Sequence, residues 1–480
     1  MEGKMRSSSR VSPAATAPRL RTAAMDSGRS TSADQNRRVP LPARAHNSAN
    51  PSRSRAAAAQ TRRSTKCATA SETPRSDEVQ HRPWADVPVD ILGVVLCLLP
   101  LLEDRARLRS VCRAWRAAAA RLPLLVVSDF SFASFCADGT FSCMRRRIPL
   151  PERETRAAGS FRCVGSFEGW LVGVGMKLNK GRYSGDLLCS LINPFSRVVI
   201  RLPPPSAATL LPYACSRSLP IVYGSGVVNC AIKARQCVMS FQKVILSSSP
   251  NSGSKCVVAA ISMVNSEAKL ALWRSGMKSW CVCDGECITR FTDIIFCQGN
   301  LYLLTMGEFP AKLFVFEISK DDDRLIVSRV ECREIERPKI KGCRMETCCC
   351  TETWTIAEWR GKLLIVIVTY HGDAEFWVWQ RITGVRVFEV DFSTNPARLI
   401  EIHSLDGDCI CFSSCRSKSF RSCDYDGVED NLIYFTRPLD GFVYNMKDGT
   451  MAPFATGLPG DKLFTPDGIL MNSTWLFPPK

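Results

Sequence analysis

From about Gly165 onward the chain is written in short apolar runs separated by glycine-bearing turns, and helical periodicity is missing throughout. In "FTDIIFCQGNLYLLTMGEFPAKLFVFEI" the runs 292–297, 301–305 and 312–318 have strand length and are rich in Phe, Ile, Leu and Tyr. Gly-containing turns between such runs are the signature of antiparallel hairpins. "WTIAEWRGKLLIVIVTYHGDAEFWVWQRITGVRVFEVDF" repeats the pattern, with turns expected at Gly361, Gly372-Asp373 and Gly384. "DNLIYFTRPLDGFVYNMKDGTMAPF" does so again. Consecutive meanders over roughly 300 residues predict a mainly β domain, a degenerate β-propeller of six or seven blades at about 40–50 residues each. A pair of two-sheet sandwiches is the alternative.

A different texture precedes the strands, in "WADVPVDILGVVLCLLPLLEDRARLRSVCRAWRAAAA". Its apolar run, Ile91 to Leu102, has twelve residues, and a spanning helix needs about 20. "LLIVIV" at 363–368 is strand length, so no membrane association is expected. The local signals describe short helices instead. Pro88 suits a first helical turn, where its missing N–H goes unused. Ile91, Leu92, Val95, Leu96 and Leu99 form one broad apolar stripe, and Pro100 ends the helix. A second helix is predicted from Glu103–Asp104, whose acidic side chains favour the positive end of the helix dipole. On it Leu108, Val111, Cys112 and Trp115 recur at i, i+3, i+4, i+7, while Arg105, Arg107, Arg109, Arg113 and Arg116 are expected to face solvent. Two or three helices this short cannot enclose a core. Their apolar faces are expected to be covered by a partner protein, or else to cap the following domain.

Val87-Pro88, Ile91-Leu92, Val95-Leu96, Leu99, Asp104 and the ending Val111-Cys112-Arg113-x-Trp115-Arg116 together resemble an F-box, especially that of plant proteins, with Val87 where the family prefers Leu. The resemblance implies docking onto a Skp-type adaptor, and through it a cullin–RING ubiquitin ligase. The adaptor-binding residues it implies are Val87, Pro88, Ile91, Leu92, Val95, Leu96, Leu99, Leu108, Val111, Cys112 and Trp115. Further on, "GWLVGVG" followed by "LINPFSRVVIRLPPP" (191–205), then "KVILSSSP", "LALWRSGMKSW" and "DNLIYFTRP", is similar to a plant-specific C-terminal domain of uncharacterised role that looks propeller-like. Asn193-Pro194-Phe195 and the Ser247–Pro250 stretch mark the family without revealing a chemistry. The domain plan is a tail over 1–83, F-box helices over 84–120, a linker over 121–154 and the β domain over 155–476.

The formal charge of +17 is unevenly spread. Residues 1–83 hold 16 of the 63 Lys and Arg but only 6 of the 46 Asp and Glu. That Ser-, Ala- and Arg-rich segment lacks the apolar content to offset chain entropy and is expected to be disordered. An organelle transit peptide is the less favoured reading, and cytoplasm or nucleus the expected location. A nucleic-acid-binding or regulatory protein using this basic segment, with the helices as a structural cap, is the alternative function.

The 24 cysteines do not form a framework. No C-x-x-C pair occurs, only four His are present (His46, His81, His371, His403), and no secretory leader is evident, so free thiols are expected rather than zinc or disulfides. Catalytic patterns are equally sparse. There is no G-x-S-x-G elbow or phosphate loop, and Gly173-Val-Gly175 lacks a third glycine. Asp321–Asp323 reads as a solvated turn, "DYDGVED" (424–430) lacks calcium-ligand spacing, and neither His371 nor His403 has an evident cysteine partner. Trp377 and Trp379 alternate on one strand and read as core. The expectation is a receptor subunit without catalytic residues, cofactor or metal, which captures an unknown target protein for ubiquitin transfer by its partners.

Overall fold

A computed structural model describes residues 84–478, apart from 119–122, 135–145, 153–159, 206–217, 232–238, 251–255, 284–290, 306–310, 320–326, 339–349, 372–380, 437–440, 455–471 and gaps of one or two residues. The basic segment 1–83, Trp377, Trp379 and Asp321–Asp323 therefore lie outside the described residues. No helix among the described residues is long and apolar enough to cross a membrane.

The described strands form six sheets, each a blade of a propeller. Their innermost strands are Ser473–Leu476 in blade 1, Ser160–Phe167 in blade 2, Phe241–Leu246 in blade 3, Phe291–Cys297 in blade 4, Cys350–Trp359 in blade 5 and Ser417–Arg421 in blade 6. Strands expected at 292–297, 301–305 and 312–318 are found as Phe291–Cys297, Asn300–Thr305 and Lys312–Ile318. Six apolar clusters, one between each pair of neighbouring blades, hold the ring together. A middle strand such as Lys362–His371 therefore buries both faces, one toward each neighbouring blade, and its long unbroken apolar run "LLIVIV" follows from that. The inner strands approach closely. A Cβ on Gly165 in blade 2 would lie 2.0 Å from the carbonyl oxygen of Val244 in blade 3, so only glycine fits.

The ring closes through its ends. Leu124–Val127 pairs antiparallel with Ser473–Leu476, Ser131–Ser134 pairs with Leu124–Val127, and Arg146–Arg147 completes the sheet. The expectation of a linker over 121–154 is thereby corrected. Its apolar stretch "LPLLVVSDFSF" is too short to show a meander, and its partner strand lies about 350 residues away, beyond any local pattern.

Three further features depart from the expected meander. The hairpin Ser218–Tyr223 and Gly226–Ala231 adds to the outer edge of blade 4 rather than to a blade next to it in sequence. In blade 6 the chain enters the second strand, Asp408–Phe412, and turns back into the innermost one, so that the following strand Leu432–Thr436 pairs parallel to Asp408–Phe412. Gly384, expected in a turn, lies inside the strand Arg381–Asp391, where pairing with Lys362–His371 slips by one residue beside it. A glycine in a strand interior commonly marks such a bulge.

Candidate functional site

Three short helices precede the propeller: α1 (Val89–Leu98), α2 (Leu102–Arg109) and α3 (Arg113–Ala118). Pro88 opens α1, its carbonyl accepting the N–H of Leu92 at 3.1 Å. The single helix predicted from Glu103 through Trp115 is two. The Ser110 hydroxyl bonds back to the Arg107 carbonyl at 2.6 Å and the N–H of Val111 bonds to Leu108, tightening and ending α2. Cys112 Sγ then accepts the N–H of Trp115 at 3.4 Å and starts α3.

This break sorts the predicted docking residues into two groups. Leu92 and Leu108 are buried, whereas Ile91 and Val111 are 51% and 59% exposed. Val87, Val95, Leu96, Leu99, Cys112 and Trp115 are half-buried, and Pro88 is exposed. The Trp115 indole donates to the Trp84 carbonyl at 2.6 Å, tying α3 to the segment before α1. Two residues absent from the predicted set, Val94 and Leu98, are 58% and 62% exposed. Ile91, Val94 and Leu98 follow i, i+3, i+7 spacing and share one face of α1. That second stripe was present in the sequence but hidden, because α1 is apolar on nearly every side and its first stripe alone accounts for a docking face.

One helix docks on the propeller. Leu102 joins the cluster formed by Leu124, Val126, Phe130, Phe132 and Ile148. Arg105, expected to face solvent, donates to Ser134 Oγ at 2.7 Å and lies 5.8 Å from the Phe132 ring centre. Its long stem and planar head suit an apolar and aromatic surface as well as water. Glu103 pairs with Arg197, which projects from the loop after Asn193. Asn193 builds that loop: its side-chain oxygen accepts the N–H groups of Phe195 and Ser196, each at 3.0 Å. The Asn-Pro-Phe feature thus acquires a role, shaping a loop that reaches α2.

At the centre of the ring, a cavity of about 320 Å³ opens among blades 2 to 6, with Ser166, Lys243, Ile294, Glu358 and Arg416 on its walls. Beside it Asp293 accepts the Lys243 ammonium, its own neighbour's N–H from Ile294 at 2.8 Å, and the N–H of Ile356 at 3.1 Å. One carboxylate thus joins blades 3, 4 and 5. Among the described residues no three His, Cys, Asp or Glu side chains group so as to hold a metal. Cys281, Cys409, Cys411 and Cys415 are free thiols, and burial pushes the last three up from the ordinary thiol value. His403 is exposed.

Three helices presenting an apolar face ahead of a six-bladed ring make the chain an F-box protein with a propeller, the architecture typical of substrate-receptor subunits of SCF-type ubiquitin ligases, which are not themselves catalytic. The F-box domain model matches residues 84–126. The KIB1-4 beta-propeller model matches residues 136–455, two thirds of the chain, and the chain belongs to that family. No curated protein matches. Among solved structures the chain is similar to the GH93 alpha-L-arabinofuranosidase of Fusarium graminearum in complex with arabinobiose, at 9% identity and a TM-score of 0.29, covering 66% of this chain and 91% of that one. It is also similar to a mutant of the Bombyx mori GH32 beta-fructofuranosidase BmSUC1 in complex with sucrose, at 10% identity and a TM-score of 0.27, covering 73% and 84%. Similarity at these scores carries no argument about function.

Proposed function

We propose that the chain docks onto a Skp-type adaptor through its F-box helices, and so joins a cullin–RING ligase, while the propeller captures a target protein. The observation that carries this reading is the exposed α1 stripe of Ile91, Val94 and Leu98, with Val111 exposed at the α2–α3 turn. Covering the exposed half of four such side chains yields roughly 1–1.5 kcal/mol each, a gross gain that reaches the lower end of the cost of association. The inward residues Leu92 and Leu108 and the docked α2 give that stripe a fixed support. Ubiquitin transfer then follows from proximity: holding the target beside the charged enzyme raises its effective concentration. Cytoplasm or nucleus is the compartment this role requires, and fractionation of the tagged full chain tests it.

Co-expression with a Skp adaptor tests the docking. The full chain is expected to co-purify with the adaptor, and an Ile91→Asp, Leu98→Asp variant to lose it while melting at the same temperature. Failure of the unaltered chain to co-purify, or equal binding by the variant, refutes the reading.

A further inference from the structure

Arg416 is a buried cation without a buried counter-ion. It is 8% exposed, lies just before the inner strand of blade 6 and lines the central cavity. Its guanidinium reaches the Ser166 hydroxyl at 3.5 Å and otherwise faces aromatic rings, with centres 5.2 Å away for Phe167 and 6.0 Å for Phe477. No carboxylate oxygen lies within ion-pair distance of it among the described residues. The other buried cation on the cavity wall, Lys243, is already paired with Asp293. Lys418 rests its ammonium on the Phe477 ring, 4.7 Å from the centre.

The position is built rather than incidental. Ser413 and Arg416 bond to each other three times: the Ser413 N–H and hydroxyl donate to the Arg416 carbonyl at 2.9 and 2.8 Å, and the Arg416 N–H donates to Ser413 Oγ at 3.1 Å. The same turn is anchored to the closing strand, where the Ser414 hydroxyl and the Cys415 N–H donate to the Ser473 carbonyl at 3.1 and 3.2 Å. A charge taken out of water and left without a partner costs several kcal/mol. Burial also pushes the Arg416 guanidinium down to about 10, against the weaker pull of Glu168. A fixed, desolvated guanidinium facing an open cavity is what an anion needs to be recognised.

We propose that the central cavity is a binding site for a carboxylate with an apolar body, its anionic head on Arg416 and its body along Phe167. A monoanion matches the single Arg416 guanidinium, which Glu168 offsets only from beyond ion-pair distance. Glu168 and Glu358 on the same walls disfavour a dianionic phosphate. The planar fork of the guanidinium fits a carboxylate through two parallel hydrogen bonds. The volume of about 320 Å³ lies at the small end of ligand cavities and accommodates a single amino-acid-sized group. Such a carboxylate is either a free organic acid or the C-terminal residue of a captured protein. The site does not depend on adaptor docking.

Titration calorimetry on the full chain tests this, with N-acetylphenylalanine, its primary amide, inorganic phosphate, and a hexapeptide ending in a free carboxylate as probes. The free carboxylates are expected to bind, with the amide and phosphate at least about 10-fold weaker, since a charged hydrogen-bonding pair is at stake. Arg416→Met is expected to lower carboxylate affinity about 10- to 100-fold without lowering the melting temperature, because it removes an uncompensated buried charge. A hexapeptide at least about 10-fold tighter than N-acetylphenylalanine assigns the site to a chain terminus, and equal affinities assign it to a free acid. Binding of neither carboxylate, equal binding of the amide, tighter binding of phosphate, or unchanged carboxylate affinity in Arg416→Met overturns the proposal. Should Arg416→Met fail to fold, the comparison of acid with amide on the unaltered chain decides alone.

Discussion

The carboxylate of Asp293, on the inner strand of blade 4, accepts the backbone N–H of Ile356 on the inner strand of blade 5 at 3.1 Å. Its other oxygen receives Lys243 from blade 3 and the N–H of Ile294. Both side chains of the pair are 8% exposed. Removing one partner of such a pair strands the other charge, so Asp293→Ala is expected to cost about 3–5 kcal/mol in denaturant unfolding. Replacing both, with Lys243→Met and Asp293→Leu, is expected to recover most of that loss, since well-packed apolar groups often equal a buried ion pair. The Ile294 and Ile356 N–H groups both lose this acceptor in the double variant, which keeps recovery incomplete by about 1–3 kcal/mol.

Trp475 is the second structural anchor to test. It is 1% exposed, sits in the cluster between blades 6 and 1, and donates its indole N–H to the Phe412 carbonyl at 3.0 Å. Its strand is also held by Ser166, whose hydroxyl donates to the Trp475 carbonyl at 2.7 Å. Trp475→Ala is expected to cost about 3–5 kcal/mol in urea unfolding. Trp475→Phe keeps much of the volume and leaves the Phe412 carbonyl with the Thr436 hydroxyl at 3.1 Å, for about 0.5–1.5 kcal/mol. A near-neutral Trp475→Ala would mean that the ring does not depend on this closing strand.

The same closing strand shows where sequence patterns stop being informative. The hairpins at 291–318 were legible because each strand pairs with its neighbour in sequence and the turns carry glycine, as at Gly299, which has φ +81°. The union of Leu124–Val127 with Ser473–Leu476 has no local signal, since two four-residue strands are too short to announce a partner so distant in sequence. The reversed hairpin of blade 6 was hidden for a related reason. Asn431, with φ +61°, accepts the Leu405 N–H at 2.6 Å through its side chain and bonds locally to both loops, a geometry set by distant residues. For the helices, periodicity located the docking region but not its outward face, because Ser110 breaks the pattern and nearly every α1 position is apolar. Arg416 could not be singled out at all: nothing in the sequence sets it apart from the other basic residues, and only the fold buries it on the cavity wall.

The split between inward and outward F-box residues makes a paired prediction. Leu92, 1% exposed, is expected to lose about 2–5 kcal/mol on substitution by Ala. Ile91, its neighbour at 51% exposure, is expected to change stability by no more than about 0.5 kcal/mol when replaced by Ala. Adaptor affinity, read by calorimetry, should fall in Ile91→Ala despite its intact melting curve. If Ile91→Ala and Leu92→Ala destabilise equally, the two faces of α1 are not distinct.

Buried thiols predict how stability depends on pH. Burial pushes Cys297 up to about 11, with Glu358 adding to the effect. It pushes Cys415 to about 11, against Lys243, and Cys409 to about 12. In the unfolded chain these thiols ionise near their ordinary value, about 8.5. Below that pH both states hold the proton and stability is unaffected. Above it the unfolded chain releases protons that the folded one keeps, so stability falls as pH rises from about 9 toward 11–12, by up to about 1.4 kcal/mol per pH unit for each such thiol. Urea unfolding at pH 8, 9 and 10 is expected to show a flat region and then a decline, and Cys415→Ala to make the decline shallower. At pH 8 a maleimide should label exposed Cys423 quickly and leave Cys409, Cys411 and Cys415 unmodified until urea is added. Rapid labelling of Cys409 and Cys411 in the folded protein would show that the interface between blades 6 and 1 opens far more readily than its packing implies.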